Sequence, residues 1–230
     1  MKLLSLETST ENCSVALLND DVVTYQSKLA PQKHAEMIIP MIDELLTKAN
    51  LSKNDLDGIA LSVGPGSFTG VRIAASTAQG LALALNKKVA CVTSLMALAY
   101  EAYTIDKTAE YVISSIDARM GEVYLAVYKV ENNNLNLIQS EQVIKPEEAF
   151  AFIRSLNILD SKVVCSGSGI EILRKAGLDE KYAKLSSFPQ AQFILDIAKD
   201  CFLKGDTVEA FEALPLYVRN EVTWKKVNEQ

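Results

Sequence analysis

The sequence predicts an α/β protein in which one β-β-β-α-β-α unit occurs twice, giving two lobes within 230 residues. Three observations predict this. Apolar runs of strand and helix length follow the same order in both halves. The first strand of each half ends in an acidic residue, Glu7 and Asp117. The fourth strand of each half ends in a glycine-rich turn that leads into a helix. The lobes are expected over residues 1–108 and 109–230, with the tail from about residue 210 packing back on the first lobe.

The elements follow in order. Residues 2–7 and 13–18 are mostly apolar and flank a Thr/Ser/Asn-rich turn. Asn19-Asp20-Asp21 is a tight-turn signal, and residues 22–28 continue as a third strand. Such short connections imply antiparallel pairing. Pro31 is expected to open a helix running to about Lys48, because proline is tolerated in a first turn. Ile38, Met41, Ile42, Leu45 and Ala49 keep helical spacing, while Met37, Ile39 and Leu46 lie outside that stripe. The apolar face is therefore wider than one packing contact requires. A buried strand over 58–63 is followed by Gly64-Pro65-Gly66-Ser67-Phe68-Thr69-Gly70, a helix over 71–85, a strand over 89–93 and a helix over 95–103. The second half offers strands at 111–116, 122–130 and 135–143, a helix from Pro146 to about Leu156, and a strand at 162–165. Ser166-Gly167-Ser168-Gly169 then leads into another helix, and a last helix is expected near 189–204.

Composition narrows the function. Hydrophobic residues make up 49% of the chain, enough for a sizeable core. The net charge is −6, and each half carries −3, with no basic lobe or tail. A protein gripping nucleic acid alone would cluster Lys and Arg to replace phosphate counterions. No secretory signal opens the sequence, and the weakly polar run 73–85 falls short of the roughly 20 residues that span a bilayer, so a cytoplasmic protein with no membrane contact is expected. Cys13, Cys91, Cys165 and Cys201 lie among apolar neighbours without C-x-x-C spacing and are expected to be buried, reduced thiols.

Several segments could carry chemistry. The 64–70 turn is not a Walker loop, since no Lys-Ser/Thr follows its last glycine, and Thr69 occupies the third glycine of a dinucleotide fingerprint. Gly64, Gly66 and Ser67 therefore read either as a turn beside a phosphate or partner, or as a rigid strand-to-helix turn capped by Ser67 or Thr69. Glu7 and Ser9 belong to a polar turn that is either a plain hairpin or, by resemblance to active members of the actin/hexokinase/Hsp70 superfold, the place of a hydrated Mg²⁺ and a phosphate. Asp117, Arg119 and Gly121 form the matching turn of the second half, where Met120 is bulky for a phosphate loop and Arg119 could pair with an acid across the cleft. His34 is the only histidine, so neither a His-based metal site nor a Ser-His-Asp triad can be built, and a helix-surface or interface role is expected for it. In the second helix Ala74, Ala78 and Ala82 form an i, i+4 row beside Ala75, Ser76 and Gly80. Small side chains let a helix approach closely, so one face is expected inward and one toward a partner.

The repeated order and punctuation resemble the actin/hexokinase/Hsp70 superfold (ASKHA, RNase H-like), in which two lobes face a nucleotide cleft. Within it the chain resembles the TsaB (YeaZ) family. The likeness runs through Leu6-Glu7-Thr8-Ser9-Thr10, Cys13-Ser14-Val15-Ala16-Leu17, Lys33-His34-Ala35-Glu36 with Ile39-Pro40, the 64–72 segment and Gln79-Gly80-Leu81-Ala82. It continues in Ile116-Asp117-Ala118-Arg119-Met120-Gly121-Glu122-Val123-Tyr124 and Pro215-Leu216-Tyr217-Val218-Arg219-Asn220. The resemblance implies a non-catalytic subunit of the machinery that makes threonylcarbamoyladenosine in tRNA. It implies pairing with the transferase TsaD through the first two long helices, with the ATPase TsaE joining the pair and threonylcarbamoyl-AMP as donor. TsaD holds its metal with a His-x-x-x-His pair, and Ser94 and Leu98 stand at the matching positions here. The family self-associates when alone, through the same surface. On this basis His34, Met37, Ile38, Met41, Val71, Ala75, Ala78, Gln79 and Ala82 are the expected contacts. Glu7, Ser9, Gly64, Gly66, Ser67, Asp117, Arg119 and Gly121 would line a vestigial cleft binding nucleotide weakly at most, with no cofactor required and tRNA met indirectly. An active small-molecule kinase-like ATPase and a plain homodimeric binding protein remain as alternatives on the same fold.

Overall fold

A computed structural model describes residues 1–218 of the chain. The first sheet is built from β1 (Lys2–Glu7), β2 (Asn12–Asn19) and β3 (Val22–Leu29), then β4 (Gly58–Ser62) and β5 (Val89–Val92). Its order is β3-β2-β1-β4-β5, antiparallel across β1–β2–β3 and parallel across β1–β4–β5. Helices α1 (His34–Lys48) and α2 (Phe68–Leu85) cover one face, where Leu4, Leu6, Val15, Leu17, Ile59 and Leu61 meet Ile38, Ile42, Leu45, Ala74 and Ala78. The alternate residues Leu3, Ala16 and Leu18 point to the other face. Both faces are covered, and this is why β1 and β4 read as apolar runs rather than alternating ones.

The second sheet repeats the plan. After α3 (Ser94–Ile105) come β6 (Tyr111–Arg119), β7 (Glu122–Glu131), β8 (Asn134–Leu137) and β9 (Gln142–Ile144), then α4 (Pro146–Ser155), β10 (Val163–Ser166) and α5 (Ile170–Lys175). The order is β10-β6-β7-β8, with β9 also paired to β7. Read from its outer edge, β8-β7-β6-β10 matches β3-β2-β1-β4 of the first sheet. A parallel bridge between Cys165 and Lys184 marks the place of β5. The duplicated α/β fold is thus present, with two changes from expectation. The single strand expected at 135–143 is two short strands, because the polar stretch Gln139-Ser140-Glu141 turns away between them. The first helix begins at His34 rather than Pro31, since Gln32 takes a positive φ of 64° that no helix allows.

The lobe boundary also differs from the sequence reading. Helix α6 (Ala191–Lys204) belongs by position to the second half, yet it packs on the free face of the first sheet through Ile194, Leu195 and Ala198. Its first turn is fixed by hydroxyls from the strands: Ser5 Oγ donates to the Ala191 carbonyl at 2.7 Å, and Ala191 N–H donates to Ser14 Oγ at 3.1 Å. Conversely α3, from the first half, packs on the second sheet through Leu95, Leu98, Ala99 and Ala102 against Val112, Ile116, Ala126 and Tyr128. Each sheet needs a helix layer on both faces, and the chain meets that need by exchanging α3 and α6. The tail does pack back, but the return begins at residue 191 rather than near 210. Beyond a 3-10 turn at Ala210–Glu212, Leu216 N–H bonds the Val63 carbonyl at 2.8 Å. Arg219 and Asn220 of the tail motif lie outside the described residues.

Among the described residues, no helix is long and apolar enough to cross a membrane. Cys13 and Cys165 are buried, and burial pushes their thiols up to about 11 and about 12. Contrary to expectation, Cys91 on the edge strand β5 is exposed and Cys201 on α6 is only half-buried.

Candidate functional site

Two regions hold the residues singled out from the sequence. The first is the turn cluster where β1 and β4 end. Glu7 is fully buried; its Oε1 accepts from Ser9 N–H, and its Oε2 has no hydrogen-bond partner. Burial is the main cause that raises its carboxyl from 4.5 to about 7, against the lowering pull of Ser9 and Ser62. The Ser94 hydroxyl donates to Ser9 Oγ at 2.8 Å and lies 2.7 Å from Ser62 Oγ. Thr8, Ser9 and Thr10 are all buried.

The glycine turn closes over this cluster. Ser67 N–H donates to the Ser9 carbonyl at 2.6 Å, and Thr8 Oγ1 donates to the Gly70 carbonyl at 2.7 Å. A Cβ at Gly66 would lie 2.2 Å from the Ser9 carbonyl oxygen, and one at Gly70 would lie 2.0 Å from that of Thr8. These glycines therefore let one turn seat on another. Ser67 is the N-cap of α2, accepting from Gly70 N–H at 3.4 Å. The turn is capped by Ser67, one of the two caps that the rigid-turn reading expected.

The second lobe repeats the device. A Cβ at Gly167 would lie 2.0 Å from the Ser115 carbonyl oxygen, and one at Gly169 would lie 2.3 Å from Ser115 Oγ. Asp117 N–H donates to Ser168 Oγ at 3.1 Å. Arg119 joins the lobes: Nη1 lies 3.1 Å from Asp117 Oδ2, and Nη2 pairs with Glu11 of the first lobe. Arg119, Met120 and Gly121 follow one another at positive φ, 62°, 55° and 76°, giving a tight turn between β6 and β7. The structure thus brings Glu7, Ser9, Gly66 and Ser67 together, and likewise Asp117 and Arg119. Glu11, Ser62 and Ser94 complete these contacts and were not chosen as cleft residues from the sequence. A serine ending the apolar run of β4 was the available signal for Ser62.

The second region is the α1–α2 face. Here the chosen residues need correction. Ile38, Met41, Val71, Ala75, Ala78 and Ala82 are at most 3% exposed and face the chain's own core. His34 is 7% exposed, with Nε2 buried and unpartnered, so it is not a surface residue. Met37 and Gln79 are half-buried, and Gln79 Nε2 donates to the Ala213 carbonyl at 3.2 Å. Sheet burial takes the most apolar side of each helix, so the bets fell on the inward stripe. The outward residues are Ala35, Ile39, Pro40 and Asp43 on α1 and Arg72, Ser76, Gly80 and Leu83 on α2. Ile39 is 43% and Leu83 77% exposed, and nothing lies within 4 Å of a Cβ placed on Gly80. A partly apolar ridge with a glycine at its middle remains open for a close neighbour.

Metal ligation has little to draw on: among the described residues no three His, Cys, Asp or Glu side chains cluster to hold an ion.

Comparison with known proteins agrees with this architecture. The family described as "TsaD: tRNA N6-adenosine threonylcarbamoyltransferase" matches residues 22–215. The tRNA threonylcarbamoyladenosine biosynthesis protein TsaB of Haemophilus influenzae is 38% identical over 99% of this chain and 97% of its own. The Escherichia coli protein of the same name is 38% identical over 99% of this chain and 98% of its own. A crystal structure described as an uncharacterized protein with similarity to peptidase YeaZ from Pseudomonas aeruginosa superposes with a TM-score of 0.85, at 37% identity, covering 95% of this chain and 99% of that one. A tRNA N6-adenosine threonylcarbamoyltransferase from Chlorobaculum tepidum is 33% identical over 46% of this chain and 35% of its own length. With that likeness running the full length of both lobes, the chain belongs to the TsaB (YeaZ) family of tRNA threonylcarbamoyladenosine biosynthesis proteins.

Proposed function

We propose that the chain is a non-catalytic subunit that pairs with the transferase TsaD through the outward ridge of α1 and α2. The pair, joined by TsaE, transfers threonylcarbamoyl from threonylcarbamoyl-AMP to the adenosine next to the tRNA anticodon. The chain itself needs no cofactor, binds nucleotide weakly at most, meets tRNA indirectly, works in the cytoplasm, and forms a homodimer when alone. One observation carries the reading: the hydroxyls that would greet a phosphate are engaged within the chain. Ser9 is bound by Ser94, Thr8 by the Gly70 carbonyl, and the glycine turn is seated on their backbone. A phosphate would have to displace that turn from the Ser9 carbonyl to reach them. The net charge of −6 favours a protein partner over direct capture of RNA.

The test is tRNA modification reconstituted from TsaD, TsaE and threonylcarbamoyl-AMP, with this chain present or omitted, beside an ATP-turnover assay of the chain alone. Product only when the chain is present, with no turnover by the chain alone, is the expected result. Steady ATP hydrolysis by the isolated chain would instead favour the kinase-like alternative.

A further inference from the structure

Strand β3 ends the first sheet, and its outer edge is open. It pairs with β2 through consecutive residues from Val22 to Leu29, with no bulge. Just beyond it, the Ala30 N–H donates to the Glu11 carbonyl at 2.9 Å. Backbone direction alternates along an antiparallel strand, so Val22, Thr24, Gln26 and Lys28 also turn their N–H and C=O groups to β2. Val23, Tyr25, Ser27 and Leu29 turn theirs outward. Among the described residues, no strand or bridge meets that side.

Such an edge is a template for another chain unless it is short, bulged, or interrupted by proline or charge. β3 has no proline and one charge, Lys28. Its counterpart in the second sheet, β8, is only 4 residues long, with asparagine at alternate positions. The duplicated plan therefore blunts one edge and leaves the other long. The outward series is also apolar: Val23, Tyr25 and Leu29 share one face and are 39%, 52% and 68% exposed.

The edge is complementary to itself. Two copies run antiparallel about Gln26 set Val23 opposite Leu29 and Tyr25 opposite Ser27, and a twofold axis repeats both pairs. Every outward N–H and C=O of these residues then has a partner. Val23 and Leu29 form an apolar cross-strand pair, and Lys28 stands opposite Thr24. The antiparallel sense also sets the acidic end of one copy, at Asp20 and Asp21, beside the basic end of the other, at Lys28 and Lys33. A parallel sense would set like charges side by side. We propose that a second copy of this chain pairs along β3, joining the two first-lobe sheets into one. No residue of the α1–α2 ridge takes part, so this contact is separate from the one proposed above.

The test is amide hydrogen exchange, read residue by residue by NMR on the full chain, dilute and concentrated. The amides of Thr24, Gln26 and Lys28 are expected to be slow in both, since they are bonded to β2. Those of Val23, Tyr25, Ser27 and Leu29 are expected to exchange freely when dilute and at least about tenfold more slowly when concentrated. The slowing should persist in Gly80→Arg, which disturbs the ridge alone. It should vanish in Tyr25→Pro with circular dichroism unchanged, because the lost N–H belongs to the open edge, where proline is tolerated. Exchange that ignores concentration, slowing that survives Tyr25→Pro, or slowing that is lost in Gly80→Arg would each overturn the proposal. Slowing that needs added TsaD would also overturn it, by assigning the edge to that partner.

Discussion

Glu7 shows how a single group shapes the behaviour of the whole cluster. Its carboxyl titrates near 7 in the folded chain because burial disfavours the charge, against 4.5 for the ordinary group. Between those values the folded state holds a proton that the unfolded state has released. The folded-state contribution is therefore complete below about 4.5 and lost as pH rises through about 7. Glu7→Gln, which stays neutral, should remove this loss and stabilise the chain above pH 7 by an amount on the order of 3 kcal/mol relative to wild type. Urea unfolding of both proteins at pH 5 and pH 8 reads the difference, and equal pH slopes would contradict it. The glycines set a second residue-scale expectation. Gly66→Ala or Gly70→Ala drives a methyl into a carbonyl oxygen of the β1–β2 turn and should destabilise by about 3 kcal/mol in the same measurement. Arg119→Ala removes two exposed ion pairs, with the side chain 71% accessible, and should shift stability by less than about 1 kcal/mol.

At the scale of the element, α2 is a strand-to-helix unit with two distinct faces. Its inward row of Ala74, Ala78 and Ala82 is completely buried, so a large charged residue at Ala75 or Ala78 should unfold the chain rather than merely abolish pairing. That replaces the expectation that the alanine row meets a partner. The outward residue Gly80 is the informative position. Glycine within a helix costs about 1 kcal/mol relative to alanine, and the space around Gly80 is open. Gly80→Ala should therefore raise the melting temperature of the isolated chain, whereas Gly80→Arg should leave the fold intact and weaken pairing. Sedimentation of the chain alone and with TsaD distinguishes the two effects. The helices were legible in the sequence because their spacing survives burial: Ile38, Ile42 and Leu45 mark α1 without ambiguity. Which side of a small-residue helix turns inward was not legible, because alanine satisfies a sheet and a partner helix equally well.

At the scale of the molecule, duplication was readable from punctuation, since Glu7 and Asp117, and the turns at 64–70 and 166–169, occupy equivalent places in the two sheets. The exchange of α3 and α6 was not readable. Both are helices of ordinary length, α3 apolar nearly all round and α6 amphipathic, and nothing local tells α6 to cover the first sheet. The contacts that decide it, Ser5 and Ser14 with Ala191, join residues more than 170 positions apart. The exchange ties the lobes together, so unfolding should be a single cooperative transition by fluorescence and circular dichroism alike. The cleft cluster was half legible: its motif residues stood out, but their engagement with one another depends on turn-on-turn packing. Under the proposed function the chain acts through its outward α1–α2 ridge and not through its cleft. The most direct measurement is tRNA modification by TsaD and TsaE supplemented with either wild-type chain or Gly80→Arg, at matched folded concentration. Product with the wild type and little or none with Gly80→Arg is the predicted result. Equal product with both would contradict a role for the ridge.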